Sequence, residues 1–252
     1  MRVLVTRPES QGAELCNLIR QMGGYALHHP LINIDYNLPA PFTYDRLLPA
    51  DIIIAVSQYA VKGLRQQVDN QQLIIPKPCI YLGVGQKTAH ELSKLVQQNV
   101  NYPAVSDSEH LLALPELVNV ANKHVIILRG NGGRELIHEQ LTKLGADVEY
   151  LEVYRRCYQP LNDDAIAAWR HAHLDIIVVT SGEQLEYLLS QVPESEQTWL
   201  RQRTLLVPSE RIATLAMTQG FHNVINTQGA SNSTLFAALQ RLETGLNNDE
   251  QK

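Results

Sequence analysis

The sequence predicts an α/β protein made of two small, doubly wound parallel-sheet layers, and three observations carry that prediction. Short runs of Val, Ile and Leu, apolar throughout, alternate with stretches of helical spacing, which is the pattern of parallel strands buried on both faces by helices. Two constant shifts lay one half of the chain on the other. A length of 252 residues leaves room for two ordinary domains.

Taken in order, "RVLVT" at residues 2–6 reads as the first strand, and Leu15, Leu18, Ile19 and Met22 mark one face of the helix after it. "DIIIAVS" (51–57), "CIYLGV" (79–84), "HVIILRG" (124–130), "LDIIVVTS" (174–181) and "TLLVPS" (204–209) repeat the theme, each ending in a polar or glycine/proline turn before a helical pattern. A shift of 124 residues lays 51–64 on 175–188, pairing Asp51 with Asp175 and Ser57 with Ser181. It also lays "YLGVGQKTAHEL" on "LLVPSERIATLA" and "NVNYPAVSDSEHLL" on "NVINTQGASNSTLF". A shift of 122 relates the N-terminal segment to the one after His124, with Arg7 on Arg129, Gly23 on Gly145 and Ile32 on Tyr154. The chain is a tandem duplication.

Composition narrows the function. With 44% hydrophobic and 19% charged residues the chain is globular, and a formal net charge of −5 speaks against a nucleic-acid partner, which needs a basic face. No apolar run approaches the ~18 residues of a membrane span, and the start "MRVLVTRPES" has no export h-region. Cys16, Cys79 and Cys157 are odd in number and far apart, so the expected compartment is a reducing cytoplasm. His28–His29 and His171/His173 lack further ligands at metal spacing, and no G-x-S-x-G is present. Neither a metal nor a serine nucleophile is expected.

Parallel sheets bind ligands at the carboxyl ends of their strands, where loops lead into helix N-termini. The loops there are Thr6-Arg7-Pro8, Ser57-Gln58-Tyr59, Gly83-Val84-Gly85, Arg129-Gly130-Asn131-Gly132-Gly133, Thr180-Ser181-Gly182 and Val207-Pro208-Ser209. They are rich in hydroxyls, glycine and arginine, and amides at helix starts attract carboxylates and phosphates. Ordinary N-capping selects the same residue types, so the signal lies in six such loops aimed at one cleft. A dinucleotide reading of Gly83-Val84-Gly85 fails twice. The third fingerprint position is Thr88, and "NVNYPAV" supplies no acidic strand end. The partner copy also reads Val207-Pro208-Ser209, which makes the glycine pair look dispensable to the architecture.

The ordered set "VLVTRP", "IIIAVSQYAV", "LGVGQKTA", "ILRGNGGRELI…LGADVEYLEVYRR", "IIVVTSGEQLEYLL" and "VPSERIATLAMTQGF" resembles the uroporphyrinogen-III synthase family over nearly the whole chain. The resemblance implies a cofactor-free lyase that closes hydroxymethylbilane to uroporphyrinogen III with loss of water and inversion of ring D. It implies interleaved domains joined by a two-stranded linker: residues 1–35 with 158–252, and 38–155, with linkers near 35–38 and 155–158. "LINIDYNLPAP" and "LEVYRRCYQPL", equivalent extended runs into proline, are compatible with that. A monomer is expected, taking its bilane by handover from hydroxymethylbilane synthase.

The mechanism that the resemblance implies starts with loss of the ring A hydroxyl to give an azafulvene. Ring D attacks it through its substituted α-carbon, and the spiro intermediate breaks and recloses with ring D turned over. Because the free bilane closes by itself to the unturned isomer, the protein's main task is to hold a pose. Matched to the family's motifs, Tyr154 becomes the proton donor to the departing hydroxyl and Thr88 a substrate contact. Ser57 and Ser181 match the small hydroxyls of two "TS" turns, the first reading Val56-Ser57 here. Arg7 and Arg129 are placed near substrate carboxylates, and Thr6, Gly85, Gly130, Asn131 and Ser209 complete the binding set. The alternatives are a packed tyrosine and structural ion pairs at those positions. For the whole chain they are a two-domain binding protein for a small polyanion without catalysis and, less apt for its length, a nucleotide-sugar transferase.

Overall fold

A computed structural model describes residues 1–38, 47, 49–71, 74–162 and 164–245, with the backbone alone for Glu9. Pro39 and Pro41, which close the expected extended run "LINIDYNLPAP", and residues 246–252 lie outside the described residues. The chain divides into two compact units, Met1–Asn33 with Cys157–Lys252 (unit 1) and Ile34–Arg156 (unit 2).

Unit 1 holds β1 (Arg2–Val5), α1 (Glu9–Gln21), β2 (Tyr25–His28), α6 (Ala165–His171), β9 (Ile176–Val178), α7 (Gly182–Gln191), α8 (Glu194–Arg201), β10 (Thr204–Val207), α9 (Glu210–Thr218), β11 (Val224–Asn226) and α10 (Asn232–Glu243). Unit 2 holds β4 (Ile52–Ala55), α2 (Gln58–Gln71), β5 (Ile80–Gly83), α3 (Gln86–Val96), β6 (Val100–Asn101), α4 (Ser108–Leu112), β7 (His124–Gly130) and α5 (Leu136–Lys143). Most of β8 (Asp147–Tyr158) belongs to unit 2, and β3 (Ile32–Asp35) runs across the other boundary.

The first sheet is ordered β11-β10-β9-β1-β2 and the second β3-β8-β7-β4-β5-β6, and the pairings within β1, β2 and β9–β11 and within β4–β8 are parallel. The duplication is visible element by element. Shifted by 124 residues, the first residues of β4, β5, β6, α2, α3 and α4 become those of β9, β10, β11, α7, α9 and α10. Shifted by 122, β1 and β2 become the starts of β7 and β8. The two sheets therefore share one five-strand order, with the pair β1–β2 contributed first along the chain in unit 1 and its equivalent β7–β8 last in unit 2.

Both faces of the central strands β1, β4, β7, β9 and β10 are buried, as the apolar runs require, while the edge strands β2, β6 and β11 are partly exposed. In β4, Ile53 and Ala55 join Leu64, Ala89 and Leu92 under α2 and α3, while Ile52 and Ile54 join Leu111, Ile137 and Leu141 on the other side. Burying one such side chain is worth ~1.5–3 kcal/mol, but a strand apolar on both faces gains as much in a slipped register. Polar clamps add the missing direction. The Asp51 carboxylate accepts from the His124 backbone N–H at 2.9 Å, and Asp175 accepts from that of Arg2 at 2.8 Å. These are the same contact in the two copies, and in unit 1 it ties the N-terminal strand to the C-terminal half of the chain. Gly23 and Gly145, also equivalent, end α1 and α5 with φ of 87° and 86°, a backbone that favours glycine.

Candidate active site

In unit 2 the crossovers from β4 run one way to β5 and β6, while β7 and β8 lie on its other side. The crevice beyond the strand ends between β4 and β7 is thus the switch point where such sheets take ligands. Ser57 follows β4 there, and the loop 131–135 follows β7. Ser57 is half-buried, and its Oγ accepts from the Ala60 N–H at 3.1 Å, holding the first turn of α2.

Tyr154 reaches this point through an irregularity in β8. The parallel register runs regularly from His124 opposite Asp147 to Arg129 opposite Glu152, then skips Val153, so that Gly130 faces Tyr154. A bulge of this kind re-aims a side chain. The phenol ring packs closely against the strand end: a Cβ on Gly130 would come within 2.5 Å of Tyr154 Cε2, so the position demands glycine. Tyr154 is 1% exposed, with Tyr59 and Tyr36 at centroid distances of 6.0 and 6.5 Å. Its Oη lies 3.4 Å from Ser57 Oγ and 3.5 Å from Arg156 Nη2. Burial, followed by Tyr59 and Tyr154, pushes the Tyr36 phenol well above its ordinary range, so Tyr36 stays protonated.

Arg129, 6% exposed, is consumed by its own loop. Its guanidinium donates to the Gly130 carbonyl at 3.2 Å, the Gly133 carbonyl at 3.3 Å and Glu135 Oε1 at 3.0 Å, and covers the Tyr150 ring at 4.2 Å. The Tyr150 hydroxyl donates to the other Glu135 oxygen. That bond and then Arg129 hold the Glu135 carboxyl below its usual range, while burial and then Glu135 push Tyr150 up to about 12. Asn131 pins the loop to β8, accepting from the Arg156 N–H at 2.6 Å and donating to the Arg156 carbonyl at 3.4 Å.

At the start of α3, Gly85 is the N-cap residue and Thr88 is 7% exposed. Here the glycine pair is not dispensable. A Cβ on Gly83 would meet the Ala89 backbone nitrogen at 2.7 Å, and one on Gly85 would meet Ser106 Oγ at 2.6 Å. In unit 1 the equivalent residues are Val207 and Ser209, so the helix in that copy does not need the same close approach.

In unit 1 the switch point lies between β1 and β9. Thr6 is fully buried and spends its hydroxyl on the Val178 carbonyl at 2.8 Å, across that gap. Arg7, 5% exposed, donates to Asn232 Oδ1 at 2.6 Å and to Gln11 Oε1. Ser181 caps α7, accepting from the Gln184 N–H at 3.1 Å, and the buried Gln184 returns an oxygen to the Thr180 N–H at 2.9 Å. Ser209 is the N-cap residue of α9 and makes no capping bond with its side chain. Both arginines, expected beside substrate carboxylates, thus have their guanidinium groups engaged by protein acceptors.

Within unit 2 the folded chain brings Ser57, Arg129, Gly130, Asn131 and Tyr154 together, with Gly85 and Thr88 on the neighbouring strand-to-helix turn. Within unit 1 it brings Thr6, Arg7 and Ser181 to the corresponding strand ends, with Ser209 one strand over. Arg156, Glu135, Tyr150 and Asn232 went unnoticed in the sequence. Arg156 had a local signal, since a residue two positions from Tyr154 shares its face of the strand. Asn232 had none, because its contact is 225 residues from Arg7.

Two parallel-sheet units with hydroxyl- and glycine-rich loops at matching switch points define an α/β enzyme-like architecture. The family model for uroporphyrinogen-III synthase HemD matches residues 13–237. The uroporphyrinogen-III synthase of Escherichia coli K12 is 39% identical over 246 residues, 95% of this chain and 100% of that protein. Among solved structures, a mutant uroporphyrinogen III synthase from Thermus thermophilus superimposes with a TM-score of 0.70, at 18% identity, covering 97% of this chain and 99% of that one. The Helicobacter pylori 26695 uroporphyrinogen-III synthetase gives 0.62 at 19% identity, covering 95% and 99%. This chain belongs to the uroporphyrinogen-III synthase family.

Proposed function

We infer that this chain is a lyase of tetrapyrrole biosynthesis, cyclising hydroxymethylbilane to uroporphyrinogen III with loss of water and inversion of ring D. The observation that carries the reading is the match at 39% identity across 95% of the chain, which spans both units. Tyr154 is the proton donor to the departing ring A hydroxyl. In support, its Oη lies beside Ser57 at the unit 2 switch point, and its ring is seated by Gly130. A phenol is a weak acid, so its help is worth about 10²-fold or less.

The acetate and propionate groups of the substrate meet the helix-start amides and hydroxyls near Ser57, Gly85, Thr88, Asn131, Ser181 and Ser209, where positive partial charge favours anions. Thr6, Arg7, Gly130 and Arg129 serve the same sites from beneath, by fixing the loops. The protein acts as a monomer in the cytoplasm and takes its bilane from hydroxymethylbilane synthase; its three free cysteines suit a reducing compartment. Among the described residues no helix is long and apolar enough to cross a membrane.

The test supplies hydroxymethylbilane to the purified protein, oxidises the products and separates the isomers. Enrichment in the type III isomer over the enzyme-free control is expected. A mixture matching the control would leave polyanion binding without catalysis as the better reading.

A further inference from the structure

Arg156 is neither a capping residue nor part of a hydrophobic cluster, yet unit 2 fixes it with care. Its backbone is held on both sides by Asn131, which accepts from its N–H and donates to its carbonyl. Gly133, with φ of 121°, comes close to the guanidinium, so that even a Cβ there would lie 3.8 and 3.9 Å from Nη2 and Nη1. The guanidinium carbon stands 6.0 Å from the Tyr154 ring centroid, and Nη2 reaches the phenol oxygen at 3.5 Å.

Arginine has five donors and no acceptor, so in this pair the phenol oxygen must accept. One lone pair of Tyr154 Oη is thereby occupied, and the phenolic hydrogen turns to its other neighbour, Ser57 Oγ. Ser57 already accepts from Ala60 and is the half-exposed member of the pair. We propose that Arg156 is a positioning residue for Tyr154: it directs the phenolic proton toward the Ser57 side of the switch point and stabilises the phenolate left when that proton departs.

This rests on the reading of Tyr154 as proton donor. The proton goes to the ring A hydroxyl, which leaves as water with its bonding electrons. The phenolate recovers a proton from the one that ring D releases when the macrocycle closes, so the side chains end as they began. A hydrogen bond of this length to a charged group is weaker than the usual charge-assisted bond, and its loss should cost turnover roughly three- to tenfold.

The test is a double-mutant cycle on formation of the type III isomer, using Arg156→Gln, Tyr154→Phe and the pair, with thermal unfolding to check folding. Arg156→Gln should lower kcat three- to tenfold with a smaller change in KM, and should have no further effect in the Tyr154→Phe background, which has no phenolic proton to direct. Arg156→Lys, still donor-only, should recover part of the loss. Equal losses in both backgrounds, or none in the wild-type background, would overturn the role of Arg156 while leaving Tyr154 as donor. Full turnover by Tyr154→Phe alone would remove the donor and this proposal with it.

Discussion

The strand ends of unit 1 and unit 2 start from one plan and finish differently. After β1 the chain has two residues beyond Thr6, Arg7 and Pro8, before α1 begins, and Arg7 is anchored to Gln11 and to the distant Asn232. After β7 the helix is delayed until Leu136, and the glycine-containing loop between wraps around Arg129, which ties it to Glu135. The strand that follows differs as well. In unit 1 it breaks after His28 and resumes at Ile32, whereas its equivalent β8 runs unbroken from Asp147 to Tyr158 and bulges at Val153. The residue equivalent to Tyr154 is therefore Ile32, an aliphatic side chain that cannot move a proton. Duplication gave two strand ends with hydroxyl-bearing helix starts, and divergence of one loop and one bulge put a phenol at one of them. Unit 2 is the chemical half on this reading, and unit 1 supplies binding.

The comparison can be broken at several points. The largest effect is expected for Gly130→Ala. The new Cβ overlaps the Tyr154 ring, and such overpacking costs ~1–3 kcal/mol. The protein should unfold at lower denaturant concentration and lose turnover at least as severely as Tyr154→Phe. Tyr154→Phe comes next, with a tenfold to hundredfold drop in kcat at most, KM changing less, and stability nearly kept. If Ile32→Val reduced turnover to the same degree, the assignment of chemistry to unit 2 would fail.

Ser57→Ala and Ser181→Ala sharpen the contrast at smaller cost. Each removes an oxygen that accepts from a helix-start amide, so each should cost about 1 kcal/mol of stability by denaturant titration. Only Ser57→Ala should also depress kcat, since Ser57 is the one of the two that lies beside the Tyr154 phenol.

The smallest effect concerns pH. Glu135 titrates below its usual range in the folded protein, so its contribution is present above the ordinary carboxylate value near 4.5 and is lost as pH falls through the lower, folded value. Amide protection in the loop 130–135, taken relative to the intrinsic exchange rate at each pH, should fall across that acid window. Glu135→Gln should lower that protection at neutral pH and abolish this part of the pH dependence.

Much of the fold was legible because it is written in local patterns. Apolar runs located the strands, and two constant shifts related eight strand and helix starts of one copy to those of the other. Most strands came out shorter than the runs, as at Ile176–Val178 within "LDIIVVTS", where Thr180 and Ser181 lead into α7, while β7 keeps its whole run from His124 to Gly130. The loops of the candidate site were legible for the same local reason. The fates of their side chains were not. Arg7 and Arg129 look alike in sequence and in burial, yet one is held by an amide 225 residues away and the other within its own loop. The glycine pair at Gly83 and Gly85 looked replaceable until the approach of Ala89 and Ser106 was seen.

By itself, the sequence determined the duplication, the alternation of strand and helix, the hydroxyl- and glycine-rich turns, and membership of the family, because each is a matter of residue order and spacing. Tertiary structure decided that Val153 bulges, that Gly130 then faces Tyr154, and that Arg156 and Ser57 both reach the phenol oxygen. Those outcomes depend on hydrogen bonds and contacts between strands far apart in the chain. A shift of one residue there reverses which face a side chain occupies without changing any local pattern.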